Sequence, residues 1–560
     1  MAALIDLLSP EPELRLDLPA LGQALTFAFA TGGTGEDFDR ILNRARLQPS
    51  RFRPECFTKD LFLGEFVHRC LTLSIDNHEW PLHRGQLLRE LTHPPHDPAV
   101  LEFRHAILRE LVDSPELESA LQRVYLEIGK LERLLETSDR GKRYDAIGRR
   151  FEILRSVKET MDVLGASFAT ASSPLRRIHE FAGRVRETRA YRELANVLDH
   201  EAHLATVDLR VRLAQDGQIR GFEIVRAREN VDNPLHRSPL SRLFARVRML
   251  LGGYGLRRAE VLGRLANHVF DGMLEMVVAL LQLGLHAEFY LGALSFRKRA
   301  LQCGLAVCLP EFVGSRTEDS RVVELTNVFN PLLLLEERAP VPCNLRMAER
   351  AMVIITGPNS GGKTRLLQTM GFVQLLGQAG FFVPAEAARL VLRDGLFVSL
   401  IQETSADQPE GRLGMELLRI RRLFEEVGLN SLVILDELCS GTNPSEGEEI
   451  FELVISLLAE LEPQTFITTH FLQFASRLAR DRSTLNLEFL QVELDRRSDP
   501  TYGFVPGVAR TSLAARTAER LGVTREALEG LVEARKRAHA RASVAPVRAS
   551  PRIGRAVTPE

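Results

Sequence analysis

The chain has 560 residues, a formal net charge of −2, 45% hydrophobic residues and 26% charged residues. These are ordinary values for folded globular domains, so a wholly disordered or fibrous chain is excluded, and the length fits about three to five domains. No global basic field exists to gather nucleic acid, so any such surface must be local.

The N-terminus, MAALIDLLSPEPELRLDLP, has acids and prolines where a secretory signal has a basic start and an apolar run. Residues 1–84 carry no motif with readable chemistry, and Trp80, the single tryptophan, reads as core packing. Six cysteines are too few for a disulfide framework. Cys303 and Cys308 lack a second pair at zinc spacing and are expected to be small buried hydrophobes in a reducing, cytoplasmic setting.

From Gly85 to about His200 the apolar spacing is helical. Leu87, Leu88 and Leu91 open it, and the run His93-Pro94-Pro95-His96-Asp97-Pro98 breaks it. A second run ends near Asp113-Ser114-Pro115. A third, from Leu117 to Leu135, forms one apolar stripe. The period then shortens to two. Val207, Leu209, Val211 and Leu213 alternate with Asp208, Arg210 and Arg212, and Asp216-Gly217 signals a hairpin turn. A hairpin over 206–228 with Arg210, Arg212, Arg220, Arg226 and Arg228 is a candidate DNA-phosphate contact. The same residues also read as a solvated charged face.

Helical spacing resumes from about Leu256 to Cys303. Met273–Leu294 is apolar but interrupted by Glu275, Gln282, His286 and Glu288, which predicts a core helix rather than a membrane span. After Val322, short apolar runs alternate with amphipathic helices, the pattern of an α/β domain with a largely parallel sheet. The domains read as 1–84, a helical 85–320, an α/β 321–534 and a basic tail at 535–560. That tail, rich in Pro, Ala and Ser, is expected to be disordered.

The strongest signal is the run Gly357, Pro358, Asn359, Ser360, Gly361, Gly362, Lys363 and Thr364, which follows an apolar strand and opens a helix. Glycines there let backbone N–H groups close on phosphates, and the helix N-terminus favours their charge. Lys363 is placed to reach the β- and γ-phosphates of ATP and Thr364 to ligate Mg2+. Lys363 is also the only lysine between Arg299 and Arg535, in a chain that otherwise chooses arginine. A phosphate cradle needs a compact point charge and not a planar fork.

Leu432-Val-Ile-Leu-Asp436-Glu437 supplies a strand ending in two carboxylates. Asp436 suits the Mg2+ shell, and Glu437 can orient or deprotonate the attacking water. Thr465-Phe-Ile-Thr-Thr-His470 is another short strand, and its terminal His470 can sense the γ-phosphate and hold the water. A lone histidine is most often structural; here the preceding motifs make the functional reading the stronger.

Together these residues resemble the MutS family of DNA mismatch-repair ATPases, within the ABC-type P-loop group. The resemblance covers GPNSGGKT at 357–364, FVPA at 382–385, LDELCSGTNPSEG at 435–447, TTH at 468–470 and the stretch 502–518. Upstream, ELTNVFNPLL at 324–333 and GQLLRELTHPPHDPAVLEFRHAILREL at 85–111 also resemble family segments. About four-fifths of the chain is covered, densely only after Glu324.

The resemblance implies a homodimer in which partner segments near Gly411, Arg412, Ser440, Gly441 and Thr442 close each nucleotide, and helical levers that enclose DNA. It makes Val341 the nearest counterpart of the residue that contacts adenine. The sequence departs from the family where about 84 residues precede the core, too few for the mismatch-reading and connector domains, and no Phe-x-Glu wedge occurs there. The 206–228 hairpin is short for the family's clamp, and Leu413-Gly414 replace the small hydroxyl residues expected after Gly411-Arg412. The expected function is therefore an ATP-driven, homodimeric clamp that acts on DNA structure and does not read mismatches directly. The alternative is a regulatory ATP switch that binds a protein partner and not DNA.

Overall fold

The computed structural model describes residues 4–33, 35–136, 146–201, 205–213, 219–229, 255–313, 322–336, 339–400, 412–439, 443–480, 486–497, 499–510 and 522–544. The N-terminal stretch is buried. Ile5, Leu7, Leu8 and Leu16 are in the core, and Asp6 and Arg15 pair at 2.9 Å, both almost fully enclosed. Charges at that depth persist only when paired and hydrogen-bonded, and Asp6 also accepts the Leu8 amide.

Helix α1 (Leu18–Thr31) starts where Asp17 accepts the Ala20 amide and Pro19 pre-sets the first turn. Helices α2 (Gly35–Leu42) and α3 (Leu63–Cys70) follow, then a small antiparallel ribbon of β1 (Leu73–Ile75) and β2 (His78–Trp80). Helices α4 (Arg84–Thr92), α5 (Pro98–Asp113) and α6 (Pro115–Glu136) match the periodic runs and stop at the proline-bearing breaks. Asp97 caps α5 through the Ala99 amide. Helices α7 (Ala146–Ala166), α8 (Arg176–Arg186) and α9 (Arg189–Glu201) complete this packed run.

The expected hairpin is present as β3 (Ala205–Leu213) and β4 (Ile219–Glu229), antiparallel and irregular at two points. Its register sets Asp208 opposite Arg226 and Arg210 opposite Glu223. Two of the five candidate arginines, Arg226 and Arg210, therefore sit across from acids in the register. The Asp216-Gly217 turn lies outside the described residues.

Helices α10 (Gly255–Asp271) and α11 (Leu274–Gln302) follow. Helix α11 is long and apolar enough to cross a membrane, but its most apolar window is wholly buried within the protein, as expected of a core helix. Its few polar groups hold the N-terminal stretch. Gln282 donates to the Ile5 and Glu13 carbonyls and accepts the Arg15 amide, and His286 accepts the Leu7 amide. Cys303, just past α11, is exposed and Cys308 half-buried, so neither is the enclosed hydrophobe expected from sequence. Cys303 follows the last turn of α11, where the chain leaves the core.

The C-terminal part is α/β. Strands β5 (Glu311–Phe312), β6 (Val322–Val328) and β7 (Cys343–Ala348) belong to a small mixed sheet. Strand β8 (Met352–Thr356), buried at every residue, leads to helix α12 (Lys363–Ala379). Strand β9 (Ala387–Leu390) returns to the small sheet, in the order β5-β9-β6-β7. The chain continues through β10 (Gly395–Ser399), α13 (Arg412–Glu426), β11 (Ser431–Leu435), α14 (Pro444–Leu461), β12 (Gln464–Thr468) and α15 (Leu472–Arg480). Strands β13 (Leu487–Leu494) and β14 (Pro500–Pro506) close a second sheet in the order β10-β11-β12-β8-β13-β14, parallel except for β14.

The last helix, α16 (Arg525–Val544), runs past residue 535, so the tail expected to be disordered is helical as far as Val544. Its Glu, Ala, Arg and Lys are good helix formers, and Arg525–Glu529 and Arg537–Glu533 pair one turn apart. Composition poor in apolar residues had masked that propensity.

Helices and sheet meet without a gap: one continuous apolar core runs from Ile5 to Ala475. At the junction Arg104 of α5, fully buried, donates to the Leu8 carbonyl at 3.1 Å and to Ala379, the last residue of α12, at 2.7 Å. Its guanidinium lies 5.0 Å from the centroid of the Phe289 ring of α11.

A buried ion pair makes stability depend on pH. His83 faces Glu288 at 2.8 Å, and although burial opposes its charge, Glu288 and nearby acids raise its pKa to about 9. Glu132, which burial raises to about 7, adds to the same trend. Both groups hold a proton more tightly folded than unfolded, so their stabilisation is complete at low pH. Glu132 loses it between its ordinary value and about 7, and His83 between about 6.5 and 9. Thermal unfolding is expected at falling temperature as pH rises from 6.5 to 9, and His83→Gln should flatten that slope. An unchanged slope in the variant would remove His83 as its source.

Candidate nucleotide site

In a parallel sheet, ligands gather beyond the carboxyl ends of the strands. Here β8, β11 and β12 are neighbours, and their ends deliver the phosphate-loop motif, Asp436-Glu437 and Thr468-Thr469-His470 to one place. The loop leaves β8 at Gly357, with φ +139°, and enters α12 at Gly362, with φ +86°. Both are conformations that L-residues avoid. Space matters as well: a Cβ on Gly357 or Gly361 would lie 2.6 or 2.7 Å from Cγ2 of Val492 on β13.

Lys363 is the first residue of α12 and is 4% exposed. Its ammonium donates to the Gly357 carbonyl at 3.0 Å, the Pro358 carbonyl at 3.1 Å and Asn359 Oδ1 at 3.3 Å. Burial pulls its pKa down, opposed by the charges of Glu437 and Asp436. Asn359, Ser360 and Thr364 are exposed on the open side of the loop.

Asp436 sits one residue past β11. Its Oδ2 accepts from the Thr364 hydroxyl at 2.6 Å, its Oδ1 accepts from the Thr468 hydroxyl, and its amide donates to the Ser399 carbonyl at 2.9 Å. Glu437 has φ +48°, left-handed and strained for a residue with a side chain. Its amide donates to Thr468 Oγ1 at 2.8 Å. His470, at the end of the neighbouring segment, is exposed and its ring tilts against Phe471, centroids 4.2 Å apart. The structure thus brings together Lys363, Thr364, Asp436 and Glu437, with His470 following the adjacent strand.

Beside the loop is a cleft of about 850 Å3, lined by Val341, Asn359, Lys363, Thr364, Tyr502 and Phe504 among others. Val341 faces it, as expected of a base-contacting residue, but two aromatics missed in the sequence share the wall. Tyr502, 42% exposed, and Phe504 come from β14, so distant in sequence that only the antiparallel pairing with β13 brings them in. Tyr502 lies close over Gly362: a Cβ there would be 3.4 Å from its ring. Asn330 was also missed. Its amide nitrogen donates to the Arg365 carbonyl at 3.0 Å while its oxygen accepts the Leu332 amide, tying β6 to the first turn of α12. The only available signal was its place in the NPLL turn.

Gly411, Ser440, Gly441 and Thr442 lie outside the described residues, as do Ser512 and Ala514 of the family-like 502–518 stretch. Arg412 is described in its backbone only, as the first residue of α13. Ala509 of the same stretch donates its amide to Thr356 Oγ1 at 2.9 Å, at the root of the loop. For the hairpin arginines the strand positions are known and the side chains are not described.

A glycine loop between a buried strand and a helix N-terminus, with a lysine inside it and a hydroxyl–carboxylate pair beside it, defines a P-loop ATPase domain. Residues 353–538 match the family described as MutS domain V, an ATPase domain. Over these residues the chain carries a MutS-type ATPase domain. It is similar to Endonuclease MutS2 of Streptococcus uberis (35% identical over 36% of this chain and 25% of that protein). It is also similar to Endonuclease MutS2 of Alkaliphilus metalliredigens (34% over 38% and 26%) and of Thermus thermophilus (34% over 37% and 27%). The chain thus spans about a quarter of the length of these relatives.

Proposed function

We propose that this protein binds and hydrolyses ATP and couples the cycle to a hold on DNA, acting as a homodimeric clamp on DNA structure. The observation that carries the ATP reading is the Thr364–Asp436 contact, which sets a hydroxyl and a carboxylate side by side at the mouth of the loop. That donor set fits Mg2+, a hard cation that takes oxygen ligands and keeps several waters. When bound, Mg2+ would be held by Thr364 and Asp436 and would neutralise charge on the phosphates.

The remaining roles belong to the chain itself. The amides of 357–364 and the α12 N-terminus hold the phosphate oxygens, with Lys363 as the point charge among them. Glu437 takes the proton of the attacking water and His470 positions that water. Val341, with Tyr502 and Phe504, encloses the base. Gly411, Arg412, Ser440, Gly441 and Thr442 are proposed to meet the partner's nucleotide. A cytoplasmic setting agrees with the six free cysteines.

DNA binding rests on the MutS-type ATPase domain, on the likeness to the endonuclease MutS2 relatives and on the arginines Arg210, Arg212, Arg220, Arg226 and Arg228 of the hairpin. From Arg220 to Arg258 nine arginines face three acids, a local excess of six. A net charge of −2 favours the second reading, a switch for a protein partner. Salt titration of binding to duplex and branched DNA separates them. A clamp is expected to lose affinity steeply between about 50 and 200 mM salt, and replacing Arg226 and Arg228 by Ala should make the slope shallower. No binding at low salt would refute the DNA reading and leave the switch.

A further inference from the structure

We infer that Thr468 is a positioning residue for hydrolysis, its hydroxyl fixing both acidic residues of the site at once. The inference rests on the ATPase reading above and deepens it. Thr468 ends β12, is fully buried, and pairs in register with Ile355 of β8. Its single oxygen is used twice. It accepts the Glu437 amide at 2.8 Å and donates its own proton to Asp436 Oδ1.

Each bond has a distinct consequence. Asp436 has two carboxylate oxygens, and Thr364 takes the other, Oδ2. With a hydroxyl on each oxygen, the carboxylate plane is set from both sides, and the oxygen nearest Thr364 is aimed at the mouth of the loop. Ligand carboxylates held by outer hydrogen bonds bind metal better and in fewer orientations. The second bond acts on backbone. Glu437 is held at φ +48°, a conformation its side chain disfavours, and its amide is the group that Thr468 secures. The left-handed turn lets the Glu437 side chain leave the strand direction taken by Asp436 just before it. Among the described residues the Glu437 carboxylate has no hydrogen-bond partner of its own, so its backbone sets its aim.

A valine fits the same volume with neither donor nor acceptor, while a serine keeps the hydroxyl and loses only the methyl. Thr468→Val and Thr468→Ser are compared with the parental protein in steady-state ATP hydrolysis and in Mg2+ titration of fluorescent-ATP binding, with thermal unfolding to verify folding. The valine variant is expected to lose about tenfold to a hundredfold in kcat with KM for ATP changed far less, and to need more Mg2+ for half-maximal binding. Nucleotide affinity with excess EDTA should stay at the parental level, and the serine variant should recover most of kcat and the parental Mg2+ requirement. A folded valine variant with parental kcat and Mg2+ midpoint overturns the inference. So does a serine variant as impaired as the valine, because packing and not the hydroxyl would then be what matters. A parental protein that binds ATP without turning it over overturns the hydrolytic reading and this inference with it, an outcome distinct from an active parent with an unaffected valine variant.

Discussion

Lys363→Ala is expected to abolish ATP binding. In the folded loop the ammonium is 4% exposed and already holds two carbonyls and the Asn359 side chain around itself. Those carbonyl dipoles oppose an anion, and the positive charge among them offsets that and adds to the pull of the loop amides and the α12 N-terminus. Truncating one partner of an enclosed, hydrogen-bonded charge pair costs on the order of 2–5 kcal/mol, about 30- to 4,000-fold, and the upper end takes a micromolar ligand to the millimolar range where its heat is lost. Lys363→Arg should not restore binding, because a planar fork cannot fit three acceptors spaced for one nitrogen. The measurement is titration calorimetry with Mg2+ and ATP on folded protein. Heat of parental size from the alanine variant would rule out this loop as the phosphate site.

Glu437→Gln is expected to keep ATP and stop its turnover. The amide side chain matches the carboxylate in shape, the backbone bond to Thr468 is untouched, and the phosphate-binding groups lie elsewhere. The ability to take a proton is lost, an effect of about 10²- to 10⁴-fold on the chemical step. Single-turnover phosphate release, read beside nucleotide affinity, separates the two functions. Parental release rates would transfer the base role from Glu437 to another group. Because Glu437 is also a charge that supports the Lys363 ammonium, a modest change in affinity accompanies the loss and does not mimic it.

The parts of this site that can be read from sequence are those in which a short contiguous run performs one task. The loop, the Asp436-Glu437 pair and the Thr468-Thr469-His470 run each lie at the end of an apolar strand, and parallel strands bring such ends together without further information. What could not be read depends on residues meeting from distant parts of the chain. Tyr502 reaches the cleft through a hairpin, and Asn330 reaches α12 through a turn whose local pattern names no partner. The first eighty-odd residues looked featureless because the groups that bury them, Gln282, His286 and Arg104, come from helices far along the chain. Helix α16 was missed for a different reason: composition suggested too little to bury, whereas alanines and one-turn ion pairs suffice for a helix.

The Arg104 contact sets how α12 can move. That helix begins at the phosphate loop and ends at the carbonyl that Arg104 holds, about 25 Å away at 1.5 Å per residue. A rod pinned at its far end cannot slide lengthwise; it swings, and about 1 Å of displacement at the loop becomes about 2° of rotation over that length. The guanidinium at that end also rests on Phe289 and donates to Leu8, so a swing of α12 would reach α11 and the buried N-terminal strap through one side chain.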